Sequence, residues 1–165
     1  EYVSRYLARA VHDGNDLEAR EHVAFGNILS GFVMCVGSTT SQHSLEHALS
    51  AYHQDLPHGA GLIMLSKAYF SNFIEEHACD ERFIRMAKAM GMEDAQKPED
   101  FITALERLKK NCGVEDLKMS DYGIHPDEFP VCVQNARKVM GGLFLRDRAP
   151  LSDEECLAIY ERSYR

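Results

Sequence analysis

A chain of 165 residues with 45% hydrophobic content can enclose a substantial core, and it is too short to add a second catalytic domain of ordinary size, so a single domain over 1–165 is expected. A formal charge of −8 argues against nucleic acid or an anionic membrane surface as partner, because either would repel it. Five cysteines, Cys35, Cys79, Cys112, Cys132 and Cys156, include no C-x-x-C pair and suit reduced thiols in the cytoplasm better than a disulfide framework.

In chain order, Tyr2, Val3, Tyr6, Leu7 and Ala10 form an apolar stripe at helical spacing that stops at Asp13-Gly14-Asn15. Asn15 with Glu18 is a capping-box arrangement for a second helix, whose later half, Ile28, Leu29, Phe32, Val33 and Val36, is apolar enough to predict the buried centre of the domain. The apolar run at 28–36 is too short to span a bilayer. After 37–40 comes a helix over 41–52, then one over 59–78 carrying Leu62, Ile63, Leu65, Tyr69, Phe70, Phe73 and Ile74. Asp80 is placed to cap a helix closed by Gly91, and Pro98 opens another closed by Gly113. The pattern lapses at 120–130, resumes at 131–140, and ends with a helix over 153–164 under a Ser152/Glu155 capping box. No strand is predicted, so the fold class is all-α, a multi-helix bundle. With Glu1 falling in what reads as mid-helix and no initiator methionine, a piece of a longer chain is expected.

The segment 41–61, SQHSLEHALSAYHQDLPHGAG, carries four of the eight histidines: His43, His47, His53 and His58. His43 and His47 are four apart and share one helix face, with Leu45, Ala48, Leu49 and Tyr52 as its apolar positions. Pro57 disfavours helix at Leu56, so His58 falls on a constrained corner facing back toward that helix. Two imidazoles on a helix and a third on the following turn is a pattern from which transition-metal sites are assembled. Two other readings compete. His43-Ser44-Leu45-Glu46-His47 matches H-x-x-E-H, the inverted zinc-protease motif in which the glutamate activates water. A free-standing helical metal-binding or interaction module would make the histidines a complete site or none.

His43-Ser44-Leu45-Glu46-His47-Ala48-Leu49-Ser50-Ala51 followed by Leu56-Pro57-His58-Gly59 resembles the signature of the iron-containing, group III alcohol dehydrogenases. Asn15-Asp16-Leu17-Glu18-Ala19-Arg20 is similar to the opening of that family's C-terminal domain, and Asn135-Ala136-Arg137 with 151–155 to its end. The resemblance implies an all-helical C-terminal metal-binding domain whose enzyme interconverts an alcohol and an aldehyde or ketone with NAD or NADP. It implies Fe2+ or Zn2+ held by one aspartate and three histidines, with His43 and His58 matching the last two ligands. His47 then matches the catalytic, cofactor-facing histidine beside the nicotinamide, and histidine's ordinary titration near neutrality suits relay of the alcohol proton. The step from His43 to His58 is fifteen residues, so His47 stays open as the ligand in place of His43; the H-x-x-x-H step favours His43. The family's Asp-x-x-x-His motif and glycine-rich dinucleotide loop match nothing in 1–165, so an N-terminal dinucleotide-binding domain is the expected partner, alongside a small alcohol or aldehyde substrate and a possible second copy of the chain. The isolated chain is expected to be inactive. The one Asp-x-x-x-His spacing present, Asp121 to His125, contains Gly123 and precedes Pro126, which argues against helical presentation.

Overall fold

The computed structural model describes residues 1–165, and its order is eight α-helices joined by turns, with no strand. In order these are α1 Tyr2–His12, α2 Leu17–Val36, α3 Ser41–Tyr52, α4 His58–Glu75, α5 Asp80–Ala89, α6 Glu99–Asn111, α7 Phe129–Met140 and α8 Asp153–Ser163. The all-α expectation holds, and each predicted helix is present. No single helix is long and apolar enough to cross a membrane. The helices group into two compact units, each drawn from two stretches of chain: Glu1–Ser38 with Cys79–Glu115, and Thr39–Ala78 with Asp116–Arg165.

The first unit contains α1, α2, α5 and α6. α1 lies on the early part of α2, where the Tyr6 and His22 rings stack at 4.1 Å and Tyr2 meets Phe25 edge-on at 5.2 Å. Phe83 of α5 and Phe101 of α6 are buried against each other, their centroids 5.5 Å apart. Both of these helices end at a left-handed glycine, Gly91 at φ 89° and Gly113 at φ 68°, a conformation in which a Cβ is strained.

Three expectations in this unit are corrected. The cap of α2 is Asp16, whose Oδ1 accepts from the Ala19 amide at 3.0 Å, in place of Asn15. Asn15 is drawn into the preceding turn, its amide donating to Asp13 Oδ1 at 2.9 Å, while Glu18 is bound by Arg9 at 2.8 Å. Nor is α2 a buried centre: only Ala19 and Gly26 are buried, and Phe32, Val33 and Val36 are 66, 63 and 90% exposed. Length supplies the reason. At ~1.5 Å per residue, α1 with 11 residues cannot follow α2 with 20, and the later half of α2 runs on without it. At the start of α5, the cap position falls on Cys79, and Asp80 is the first helical residue.

The second unit contains α3, α4, α7 and α8 around Leu45, Leu49, Leu65, Phe129, Ile159 and Tyr160, all at most 0% exposed. Phe129 and Tyr160 stack at 5.2 Å, fixing α7 against α8. α8 starts as the sequence predicts, with Ser152 Oγ accepting from the Glu155 amide at 3.1 Å and Glu155 Oε2 accepting from the Ser152 amide at 2.6 Å. The stretch at 120–130 is two short 3₁₀ turns, Met119–Tyr122 and Pro126–Glu128.

Candidate metal centre

The start of α3 is held from a distance. Its N-cap, Thr40, makes no side-chain capping bond, and the Ser41 amide instead donates to Asp147 Oδ1 at 3.0 Å. Tyr69 Oη donates to the same oxygen at 2.8 Å. Burial, the largest influence on it, raises the Tyr69 phenol above its ordinary pKa and keeps it a donor. Further along, Gln42 Nε2 donates to the Leu62 carbonyl at 3.0 Å, Ser44 Oγ to the Met140 carbonyl at 2.9 Å, and Tyr160 Oη to the Leu45 carbonyl at 2.7 Å. Bonds to three other elements thus fix both the position and the rotation of α3, so its remaining face is presented in one orientation.

That face carries His43 and His47, and His58 is the first residue of α4, directly after Pro57 at φ −64°. The His58 ring centroid lies 5.2 Å from that of His43 and 4.9 Å from that of His47. One ring nitrogen from each of the three lies within 4.8 Å of the others. Metal–nitrogen bonds of ~2.0–2.1 Å place two nitrogens on one ion no more than ~4 Å apart, close to the spacing found here, and His47 is exposed. His43 is half-buried, and its pKa is lowered from the ordinary 6.5, first by desolvation and then by His58 and His47. A neutral imidazole keeps a lone pair for a cation, so the donor set fits iron(II) or zinc. Beside His47 a cavity of about 400 Å³ opens, lined by Ser44, Ser50, Asn135, Val139 and Met140 among others.

The fourth histidine of the segment is elsewhere. His53 Nε2 pairs with Glu128 Oε2 at 2.6 Å and joins the end of α3 to the turn before α7. Tyr52, read as an apolar contact of α3, is 50% exposed, its Oη accepting from Asn135 Nδ2 at 3.3 Å. Asp121 and His125 form no helical pair, since Gly123 between them adopts φ 72°. The residue that motif reading misplaced is Glu46. It is completely buried, and its Oε2 meets His58 Nδ1 while its Oε1 accepts from Ser50 Oγ at 2.9 Å. With no exposed atom it cannot activate water as the H-x-x-E-H protease reading requires. A signal was present in the sequence: Ser50 stands one turn after Glu46, and a glycine occupies position 61, where a Cβ would come 2.6 Å from Glu46 Cγ.

Residues 1–164 match the family model for the Fe-containing alcohol dehydrogenase family, C-terminal. The 1,3-propanediol dehydrogenase of Klebsiella pneumoniae is 28% identical over 98% of this chain, and the NAD-dependent methanol dehydrogenase of Bacillus methanolicus 29% identical over 81%. Among solved structures, an archaeal halo-thermophilic alcohol dehydrogenase from a Red Sea brine pool superposes with a TM-score of 0.88 at 29% identity, covering 98% of this chain. The chain spans 42% of the Klebsiella protein, 35% of the Bacillus protein and 42% of the archaeal one.

Proposed function

The chain belongs to the Fe-containing alcohol dehydrogenase family, and we propose that it is the metal-binding part of an enzyme interconverting a small alcohol and its aldehyde or ketone with NAD or NADP. The observation that carries this is the convergence of His43, His47 and His58 in a chain matching the family over nearly its whole length. His43 and His58 would hold iron(II) or zinc, joined by an aspartate and a histidine from an upstream helix, while an N-terminal domain binds most of the nicotinamide cofactor. When bound, the metal supplies Lewis acidity at the substrate oxygen.

The chain's own residues do the rest. His43, shielded and kept neutral, holds its nitrogen lone pair available. His47, exposed beside the cavity, accepts the alcohol's proton on a ring nitrogen and hands it to solvent. The cavity's mixture of Val139 and Met140 with Ser44, Ser50 and Asn135 suits a short carbon chain ending in a hydroxyl or carbonyl. Alone, the 165-residue chain should not turn over alcohols, because most of the nicotinamide cofactor's binding is assigned to the N-terminal domain.

Metal analysis of three variants of the full enzyme tests the assignment. His43→Ala and His58→Ala should each empty the site and abolish turnover, whereas His47→Ala should keep the metal and lower kcat by roughly 10²–10⁴-fold, the usual worth of a proton-transfer group. If His47→Ala empties the site while His43→Ala does not, the two roles are exchanged.

A further inference from the structure

Glu46 takes no part in the chemistry proposed above, yet it is the most committed side chain near the histidines. It is 0% exposed. Taking a carboxylate out of water is unfavourable unless both oxygens find partners, and here both do: His58 Nδ1 on Oε2, and Ser50 Oγ at 2.9 Å on Oε1. Space is reserved for it as well. A Cβ at Gly61 would lie 2.6 Å from Glu46 Cγ and 2.9 Å from Oε1, so α4 can approach α3 only with glycine at this position.

Opposite a carboxylate, which only accepts, the proton shared with His58 sits on Nδ1. Nε2 is then the nitrogen that keeps a lone pair. Without this partner the ring would be free to turn and would favour the opposite tautomer, with its proton on the nitrogen that faces away from the backbone.

We infer that Glu46 is a positioning residue of the metal centre, holding His58 as the Nδ1–H tautomer so that Nε2 is the atom it offers beside His43 and His47. The inference rests on reading His58 as a ligand. A histidine ligand tied through its second nitrogen to a carboxylate is a stronger and better-oriented donor, and losing such a partner typically weakens metal binding 10–100-fold.

The direct readout is long-range ¹H–¹⁵N NMR of the metal-free chain, at a pH well above the ordinary imidazole range, with Co²⁺ titration as the second measurement. Wild type should show His58 as the Nδ1–H tautomer. Glu46→Met, of similar length and volume, should shift His58 to the Nε2–H form without changing the tautomers of His43 and His47, and should weaken Co²⁺ binding by about 10–100-fold. A wild-type His58 already in the Nε2–H form overturns the inference, and that measurement requires no variant to fold. An unchanged His58 tautomer in Glu46→Met overturns it too. Failure of the metal reading looks different: His58→Ala would bind Co²⁺ as tightly as wild type, while the tautomer of wild-type His58 would still report on Glu46.

Discussion

By composition α2 is the apolar helix and α3 the polar one, yet α2 buries only Ala19 and Gly26 while α3 buries Ser41, Gln42, Ser44, Leu45, Glu46, Ala48 and Leu49. Apolar character says that a face gains from being covered, but only a neighbour of sufficient length covers it, and α1 is too short for α2. Polar character does not forbid burial when every group finds a partner. Asp147 serves Ser41, the Leu62 carbonyl serves Gln42, the Met140 carbonyl serves Ser44, and His58 with Ser50 serve Glu46.

Truncating one large apolar residue in each helix should give the largest difference between them. Leu45→Ala in α3 removes a side chain with no exposed surface and should cost about 2–5 kcal/mol, the range for a cavity in a packed core. Phe32→Ala in α2 removes a larger side chain that is 66% exposed and should change the stability of this chain by no more than about 0.5 kcal/mol. Urea denaturation of both variants checks this; comparable losses would mean that α2 is covered in solution by something that leaves α3 unaffected.

Glycine-to-alanine changes make the next comparison, with opposite signs. At Gly61 the new methyl meets Glu46 at 2.6 Å, and overpacking should cost about 1–3 kcal/mol while displacing His58. At Gly31, in the interior of α2, a Cβ meets nothing within 4 Å, and the better helix propensity should stabilise by about 0.4–1 kcal/mol. Thermal unfolding of the two single variants decides it, and stabilisation at position 61 would remove the claim that this glycine makes room for Glu46.

Much of the fold was legible because helix periodicity and end signals are local. The Ser152/Glu155 box, Gly91 and Gly113 fall where the sequence puts them. The helix ends that went astray did so where a side chain had a better bond nearby: Glu18 was taken by Arg9, and Asn15 by the turn before it. The histidine cluster was legible for the same local reason, since a four-residue step and a proline-limited corner set the geometry of His43, His47 and His58. His53, in the same segment, was decided by Glu128, which is 75 residues away. Asp147, the substitute cap for α3, is 106 residues from Ser41, and no spacing rule reaches so far.

The smallest effect concerns how the two helices begin. α2 is capped locally by Asp16, α3 remotely by Asp147. The Asp16 carboxyl is held below its ordinary value of 3.8, first by the hydrogen bond from the Ala19 amide, with Arg9 adding to it. A folded-state pKa below the unfolded one means that the unfolded chain binds the proton first, so stability from this cap is complete above pH 3.8 and is lost as pH falls through the lower folded value. The Ala19 amide proton should therefore shift in NMR with a midpoint below 3.8, and the midpoint should stay below that value in high salt because a backbone bond, more than the Arg9 charge, sets it. Asp16→Asn keeps an acceptor for Ala19 but cannot ionise, and should cap α2 with no such step. If the step persists in Asp16→Asn, the titrating group is another carboxylate, and α2 is no more locally capped than α3.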